Sequence, residues 1–152
     1  MQVRNLMSRD VVTIGTAESC LDAVVRMQRA RVRHLPVLNR DGRLVGIITD
    51  RDLRHHLFSP QVFENLGSKP VDEMLDVVRV AEIMSTDVLT VEADASVGDA
   101  AVTMRKNRVG SLPVIENGRM VGIVTEVDIL RQIVRTAATY TPECAEVIIS
   151  RP

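Results

Sequence analysis

Aromatic residues are nearly absent from this 152-residue chain, which has no Trp and only Phe58, Phe63 and Tyr140 as aromatic side chains. The hydrophobic core must therefore be aliphatic. The scarcity also argues against binding of single-stranded nucleic acid, which stacks its bases on aromatic rings. The two cysteines, Cys20 and Cys144, lie far apart in the sequence, so a disulfide framework is not expected.

Strong net charge and long apolar runs are missing as well. The net charge is −1, so no strong field draws the chain to nucleic acid or to a membrane surface. No apolar run approaches the roughly 20 residues that span a bilayer, and the first residues contain no apolar signal core. The composition, with 45% hydrophobic and 26% charged residues, is typical of a globular protein. We therefore expect a cytoplasmic protein with neither nucleic acid nor membrane as a partner.

An internal repeat dominates the sequence. Residues 6–38 align with 83–115 and residues 42–54 align with 118–130, and 22 of these 46 pairs are identical. Chance would give about three identities at ordinary composition. One structural unit is therefore used twice.

Each repeat predicts the element order β-α-β-β-α. β-branched residues favour the strands, and Ser-x-x-Asp at Ser19 and Ser96 predicts a capping box at the start of the first helix. Asp-Gly and Asn-Gly pairs predict hairpins, and a β-α-β step needs a parallel partner. The fold class is therefore α/β with small mixed sheets. The predicted elements are strands 11–14 and 88–91, helices 19–32 and 96–109, strands 34–38 and 111–115, strands 43–49 and 119–125, and helices from 50 and 126.

The repeats divide the chain into two small domains, residues 1–58 and 78–137. A connector, 59–77, contains Pro and Gly and a segment that favours a helical turn or two, and a tail follows at 138–152. A unit near 60 residues buries too little surface to be stable alone. The two units should therefore pack against each other.

The doubled motifs make the chain resemble a known family. LMS…VVT with HLPVL…GRLVGIITDRDL, repeated as IMS…VLT with SLPVI…GRMVGIVTEVDIL, is similar to a stand-alone tandem pair of cystathionine β-synthase (CBS) domains over about residues 1–136. The resemblance implies a pseudo-two-fold pair with two clefts that bind adenosine-containing ligands: AMP, ADP, ATP, S-adenosylmethionine or NAD(H). It also implies a homodimeric disc that regulates another, unknown protein, with no required cofactor.

A Thr-x-x-Asp motif stands where a strand becomes a helix in each repeat. Thr49 with Asp52, and Thr125 with Asp128, could serve only as helix caps, because a Thr hydroxyl and a first-turn carboxylate both stabilise a helix start. A carboxylate can also accept hydrogen bonds from both hydroxyls of a ribose. The family resemblance implies that these four residues hold ribose, and the two interpretations are compatible.

Other candidate ligand contacts follow from the resemblance and from charge. The residues implied to border the base are Thr13, Ile14, His34, Pro36, Thr90, Val91, Ser111 and Pro113. Arginine suits phosphate through its forked donors, and the candidates are Arg33, Arg51, Arg54, Arg108 and Arg131. The repeats differ here, because Gly110, Ser111 and Val127 replace Arg33, His34 and Arg51. The two clefts are therefore expected to be unequal.

Two other functional classes compete with this prediction. An enzyme is disfavoured because no nucleophile–base set, metal-spaced cluster or Gly-rich phosphate loop is evident. A ligand-independent dimeric scaffold or protein-interaction module remains the alternative, with the Thr-x-x-Asp motifs as caps only. Wide apolar stripes on the helices predict a homodimer in either case.

Overall fold

The computed structural model describes residues 1–57 and 70–137. The helices in these ranges are α1 (Cys20–Ala30), α2 (Asp50–Leu57), α3 (Val71–Val77), α4 (Val80–Ile83), α5 (Val97–Asn107) and α6 (Glu126–Thr136). The strands are β1 (Ile14–Gly15), β2 (His34–Leu38), β3 (Leu44–Thr49), β4 (Val91–Glu92), β5 (Ser111–Glu116) and β6 (Arg119–Thr125). The predicted tail 138–152 and most of the predicted connector lie outside the described residues, whereas α3 and α4 lie within them.

Each repeat forms a three-stranded mixed sheet, which confirms the predicted fold class. In the first sheet β1 is parallel to β2 and β2 is antiparallel to β3, and β4, β5 and β6 repeat this order. The hairpin between β5 and β6 turns at Asn117 and Gly118, with φ of 52° and 75°. Two successive positive φ angles are what a two-residue type I′ turn requires, so the Asn-Gly pair explains the turn.

The first strand of each repeat is shorter than the sequence predicted. Strands were expected at 11–14 and 88–91, but β1 and β4 have two residues each and begin at Ile14 and Val91. The carbonyl of Thr13 accepts a hydrogen bond from Arg26 Nη1 at 2.7 Å, so it is used by helix α1 rather than by a neighbouring strand. In the second repeat, Val88 N–H donates to the carbonyl of Thr86 and closes a turn.

The first helix of each repeat begins and ends as its sequence directs. Ser19 caps α1 in a capping box, because its hydroxyl accepts from Asp22 N–H at 3.1 Å while Asp22 Oδ2 accepts from Ser19 N–H at 3.0 Å. Ser96 caps α5 through Asp99 N–H at 3.0 Å. Both helices end at an arginine in the left-handed conformation, Arg31 at φ 54° and Arg108 at φ 56°. The pseudo-two-fold relation thus extends to backbone angles.

The segments that lead into the two repeats are exchanged between them. We call residues 1–8 leading segment 1 and residues 78–85 leading segment 2. Val3 and Met7 are buried in the core of the second repeat, and Val80 is buried in the core of the first. Val3 N–H donates to the carbonyl of Ala95 at 2.9 Å, and Val80 N–H donates to the carbonyl of Glu18 at 2.9 Å. Each core is therefore completed by residues that the repeat alignment assigns to the other copy.

Both cores are aliphatic, as the shortage of aromatic residues requires. Leu35, Val37 and Ile48 are fully buried in the first core, and Leu112 and Val114 are fully buried in the second. Helix α3 adds Leu75 to the first core, so this part of the predicted connector is an ordered helix that packs on the first repeat. Cys20 is also fully buried, and burial raises the pKa of its thiol to about 11, which keeps it protonated and makes it a small apolar core residue.

Two glycines allow the exchanged segments to approach the sheets. Ser8 pairs with Ile123 on β6, and Ser85 pairs with Ile47 on β3. A Cβ added at Gly122 would lie 2.8 Å from the carbonyl oxygen of Ser8 and 2.7 Å from Met7 Sδ. Glycine is the residue that fits where another backbone segment approaches this closely. Gly46 and Gly122, the glycines of the two Val-Gly-Ile motifs, therefore leave the space that the exchanged segments occupy.

Replacing Gly122 with alanine is expected to destabilise the protein by about 1–3 kcal/mol, the usual cost of overpacking a well-packed site. Urea denaturation measures the change. Gly98 supplies a control of opposite sign, because it lies in α5 with only Ser96 Oγ, at 3.6 Å, near its added Cβ. Gly98→Ala should stabilise by about 0.5–1 kcal/mol through helix propensity. Equal effects of the two substitutions would contradict the close approach.

Candidate ligand clefts between the repeats

Two clefts related by the pseudo-two-fold lie between the repeats. Cleft 1 has a volume of about 1,020 Å³ and brings the start of α2 together with residues 85–89 and the end of α5. Cleft 2 has a volume of about 240 Å³ and brings the start of α6 together with residues 8–12 and the end of α1. Each cleft thus combines the Thr-x-x-Asp motif of one repeat with the strand entry and first helix of the other.

Thr49 and Asp52 form a capping box at the N-terminus of α2, and both line cleft 1. Asp52 Oδ2 accepts from Thr49 N–H at 2.8 Å and from Thr49 Oγ1 at 2.7 Å, while Thr49 Oγ1 accepts from Asp52 N–H at 3.2 Å. Both bonds to the carboxylate use the same oxygen, Oδ2. Asp52 Oδ1 has no hydrogen bond to the described residues, so the cap leaves one charged acceptor for another group.

Thr125 and Asp128 repeat this geometry at the start of α6 and line cleft 2. Asp128 Oδ2 accepts from Thr125 N–H at 2.9 Å and from Thr125 Oγ1 at 2.6 Å. The second oxygen differs from its counterpart, because Asp128 Oδ1 lies 3.8 Å from Arg131 Nη1. The capping motif is thus the same in both clefts, but the surroundings of the free oxygen are not.

A shared wall separates the two clefts. Arg33, His34, Gly110 and Glu126 line both of them, and we call these four residues the partition. A Cβ on Gly110 would lie 3.2 Å from His34 Nε2, so the absence of a side chain there makes room for the imidazole. The N–H of Glu126 donates to the carbonyl of Gly110 at 3.0 Å, which ties the start of α6 to the partition.

His34 is held in its neutral form by its position in the partition. Burial lowers its pKa below the ordinary value of 6.5, and the guanidinium of Arg33 lowers it further. Asp50, Glu126 and Asp52 oppose this effect but do not reverse it. A charged imidazole at the wall of both clefts is therefore disfavoured at neutral pH.

This lowered pKa predicts a loss of stability in mild acid. As the pH falls below 6.5, the unfolded chain binds a proton at His34 more readily than the folded chain does, so the free energy of unfolding should fall. A His34→Gln variant lacks this proton and should lose less stability over the same range. Urea titrations of both proteins from pH 8 to about pH 5.5 would measure the difference. Parallel pH profiles would contradict the assignment of the effect to His34.

The structure places the predicted phosphate candidates unevenly. Arg33, Arg51, Arg54 and Arg108 line cleft 1, whereas Arg33 and Arg131 line cleft 2. Arg54 is engaged on its own helix, because its Nη2 lies 2.9 Å from Asp50 Oδ2. Two lining arginines were missed by the sequence analysis, Arg105 in cleft 1 and Arg31 in cleft 2.

Of the eight residues predicted to border the base, two line a cleft in the described part of the chain. Ser111 lines cleft 1 and His34 lines both clefts. Ile14, Pro36 and Pro113 are instead fully buried, so their side chains pack in the cores. Thr13, Thr90 and Val91 are not among the residues that line either cleft.

The lining that the sequence analysis overlooked comes from the turns before β1 and β4. Asp10, Val11 and Val12 line cleft 2, and Asp87, Val88 and Leu89 line cleft 1. The Ser-x-Asp-Val motif occurs at Ser8 and again at Ser85, so the sequence contains a repeated motif at this part of each cleft. The strand prediction covers only residues 11–14 and 88–91 and gives Ser8, Asp10, Ser85 and Asp87 no role.

Ser111 carries an unpaired polar group. The residue is 4% exposed, and its Oγ is buried with no hydrogen-bond partner in the described part of the chain. A buried hydroxyl without a partner is unfavourable. Ser111 lines cleft 1, so a polar atom that reached its hydroxyl from that side would satisfy it.

Within residues 1–57 and 70–137, no group of three or more His, Cys, Asp or Glu side chains is arranged to hold a metal ion. In the same ranges, no helix has the length and apolar character needed to cross a bilayer.

Comparison with known proteins agrees with this architecture. The family model described as CBS domain matches residues 3–59 and again residues 80–135. A CBS domain-containing protein of Dictyostelium discoideum is 38% identical over 143 residues, which cover 93% of this chain and 97% of that protein. Protein MJ1225 of Methanocaldococcus jannaschii is 38% identical over 130 residues, but the match covers only 46% of its length.

Solved structures share the fold at similar identity. The CBS domain pair of protein MJ0100, crystallised with 5′-methylthioadenosine and S-adenosylmethionine, matches with a TM-score of 0.73 and 28% identity. That match covers 90% of this chain and 98% of the other. The structure of MJ1225, proposed to be an archaeal homologue of γ-AMPK, matches with a TM-score of 0.78 and 35% identity over 87% of this chain and 47% of that one.

Proposed function

Because this chain belongs to the CBS domain family, as a tandem pair, we propose that it is a regulatory module that binds adenosine-containing ligands in its two clefts. The ligand class comprises AMP, ADP, ATP, S-adenosylmethionine and NAD(H). The observation that carries the proposal is the free oxygen of Asp52. The capping box consumes Oδ2 and leaves Oδ1 as a charged acceptor on the wall of an open cleft. A ribose hydroxyl pair suits such an acceptor.

The relatives support the ligand class without deciding the ligand. The domain pair of MJ0100 was crystallised with two adenosyl compounds. Cleft 1 also offers what an adenosine needs besides ribose contacts. Aliphatic side chains such as Val88 and Leu89 can flank a base, and the helix start beside Asp52 attracts polar ligand groups. The proposed role is binding that alters a partner protein, with no reaction of its own.

Thermal unfolding in the presence of each adenosyl compound tests the proposal. A ligand present at about 100 times its Kd stabilises the folded state by about 2.7 kcal/mol. For a chain of this size, that corresponds to a rise in Tm of about 5–10 °C. We expect such a rise for at least one member of the class, and none for inorganic phosphate or ribose alone. If no adenosyl compound shifts the Tm, the ligand-independent scaffold is the better assignment.

We also propose that the module is a homodimer. Val102 on α5 and Leu130, Ile133 and Val134 on α6 are 44%, 59%, 56% and 72% exposed. Leu130, Ile133 and Val134 follow the i, i+3, i+4 spacing of one helix face, and α6 contacts α5; we call the four side chains the α5–α6 apolar patch. Apolar patches of this kind mark protein interfaces more often than free surface. A second copy of the chain can cover the patch with an equivalent one, as two-fold interfaces do.

Sedimentation is expected to give about twice the chain mass of 16.8 kDa. Leu130→Glu combined with Ile133→Glu places charges in the patch and should yield a folded monomer, because both side chains are exposed within the single chain. Val77→Glu is the matched control, since Val77 is 68% exposed on α3, away from the patch. A wild-type monomer at tens of micromolar would refute the dimer.

A further inference from the structure

The two clefts differ in size far more than their shared motif requires. Sites for small ligands measure about 300–1,000 Å³. Cleft 1, at about 1,020 Å³, lies at the top of that range, and cleft 2, at about 240 Å³, lies below it. Cleft 1 therefore has room for groups beyond a nucleoside, and cleft 2 does not.

Arginines without ion-pair partners are concentrated in cleft 1. Arg51, Arg105 and Arg108 line it and form no ion pair within the described part of the chain. Their counterparts in the other repeat are Val127, Gln28 and Arg31. Only Arg108 thus has a cationic equivalent. Unpaired guanidinium groups at a cleft wall suit phosphate oxygens, which they can bind through two parallel donors.

Cleft 1 is lined by five arginines and four carboxylates, those of Asp50, Asp52, Asp87 and Glu126, so arginines exceed carboxylates by one, whereas cleft 2 is balanced. Its three arginines face three carboxylates, those of Asp10, Glu126 and Asp128. Arg131 lies 3.8 Å from the free oxygen of Asp128, so this cation is already directed at the ribose acceptor. An anionic group entering cleft 2 would gain little net attraction.

Ser111 supplies an independent indication that cleft 1 is built for a ligand. Its hydroxyl oxygen is buried and unpaired within residues 1–57 and 70–137, on the wall of this cleft. Its counterpart His34 lines both clefts. The unpaired group therefore occurs in the larger and more basic cleft, where a polar ligand atom can satisfy it.

We infer that cleft 1 takes a phosphorylated adenosyl ligand and that cleft 2 takes at most a phosphate-free nucleoside. This inference rests on the proposed function and deepens it by assigning each cleft a ligand class. Arg51, Arg105 and Arg108 are the phosphate contacts of cleft 1. The capping-box carboxylate of Asp52 provides the ribose contact in the same cleft.

Titration calorimetry on the full chain with ATP, AMP and adenosine tests the assignment. The key pair of variants is Arg108→Gln and Arg31→Gln. Both residues end the first helix of their repeat in the left-handed conformation, at φ 56° and 54°, and both side chains are exposed. The two substitutions should therefore change the stability of the fold by the same amount, but they alter different clefts.

Arg108→Gln should weaken ATP and AMP binding about tenfold to a hundredfold, the loss expected for one charged hydrogen bond, and should change adenosine binding less than threefold. Arg31→Gln should leave ATP and AMP binding unchanged. A measurement on the wild-type chain supports the same distinction: raising the salt concentration should weaken ATP binding but not adenosine binding.

Equal losses of ATP affinity in the two variants, or no loss in Arg108→Gln, would overturn the assignment while leaving the proposed function intact. If the wild-type chain binds none of the three compounds but S-adenosylmethionine or NAD(H) still raises its Tm, the assignment fails alone; if no adenosyl compound raises the Tm, the proposed function fails as well. The two failures are thus distinguishable.

Discussion

Asp52→Asn is expected to weaken the binding of an adenine nucleotide about tenfold to more than a hundredfold. A hydrogen bond to a charged acceptor is worth about 1.5–3 kcal/mol, and each 1.4 kcal/mol is a factor of ten in Kd. Asparagine has one acceptor oxygen, and the capping box already needs that oxygen for Thr49 N–H and Thr49 Oγ1. The amide then presents N–H donors where the carboxylate had presented Oδ1. Calorimetry measures the loss.

The control for this substitution is already present in the chain. Asp22 closes the same capping box on α1, where its Oδ2 accepts from Ser19 N–H and Ser19 Oγ, both at 3.0 Å. It lines neither cleft in the described part of the chain. Asp22→Asn should therefore cost comparable stability, about 0.5–2 kcal/mol, and leave binding unchanged. If Asp52→Asn destabilises the fold as Asp22→Asn does and still binds nucleotide normally, both carboxylates are caps only.

Removing leading segment 1, residues 1–8, is expected to unfold the second repeat although the deletion lies in the first. Burying Val or Met contributes about 1.5–3 kcal/mol each, and the cavity left behind adds to the loss. Val3 and Met7 are 0% and 9% exposed in the second core. The total, about 5 kcal/mol or more, is comparable with the whole stability of a small protein, about 5–15 kcal/mol.

Circular dichroism and the dispersion of amide resonances would detect this unfolding. Resonances of Val114 and Val124, which share a core with Val3, should be lost first. Met7→Leu is the mild counterpart, because swaps that conserve volume cost less than about 1.5 kcal/mol. A shortened chain that still melts cooperatively within a few degrees of the full chain would show that the exchanged segment is dispensable.

Much of the fold could be predicted because each repeat contains local sequence signals for where its helices begin and where its chain turns. Ser19 and Ser96 marked helix starts, the Asn117-Gly118 pair marked a tight turn, and each of these features is local. The extent of the first strands could not be predicted, because the residues before them form hydrogen bonds outside the sheet, within a turn in the second repeat and with a side chain of α1 in the first. Arg26 takes the carbonyl of Thr13 from across the unit, and nothing within 11–14 announces this.

The clefts were harder to predict than the fold. Thr49 and Asp52 could be singled out because the capping box they form is local. The rest of each cleft depends on which copy of a segment packs against which sheet, and two nearly identical copies do not reveal this. The sequence analysis therefore overlooked Arg105, which reaches cleft 1 from the opposite repeat. Pro36 and Pro113, which the family resemblance implies at the base, are fully buried in this structure, so their role in binding stays a prediction.

The exchanged segments also determine when this chain can fold on the ribosome. The hydrogen bond from Val3 to Ala95 joins residues about 90 positions apart. At a synthesis rate of about 5–20 residues per second, the first residues wait roughly 5–20 s for their partner strand to be made. The first core waits as well, since it needs Val80. A nascent chain halted after the first repeat would therefore expose apolar surface that only the second repeat can cover, and chaperones would find their substrate there.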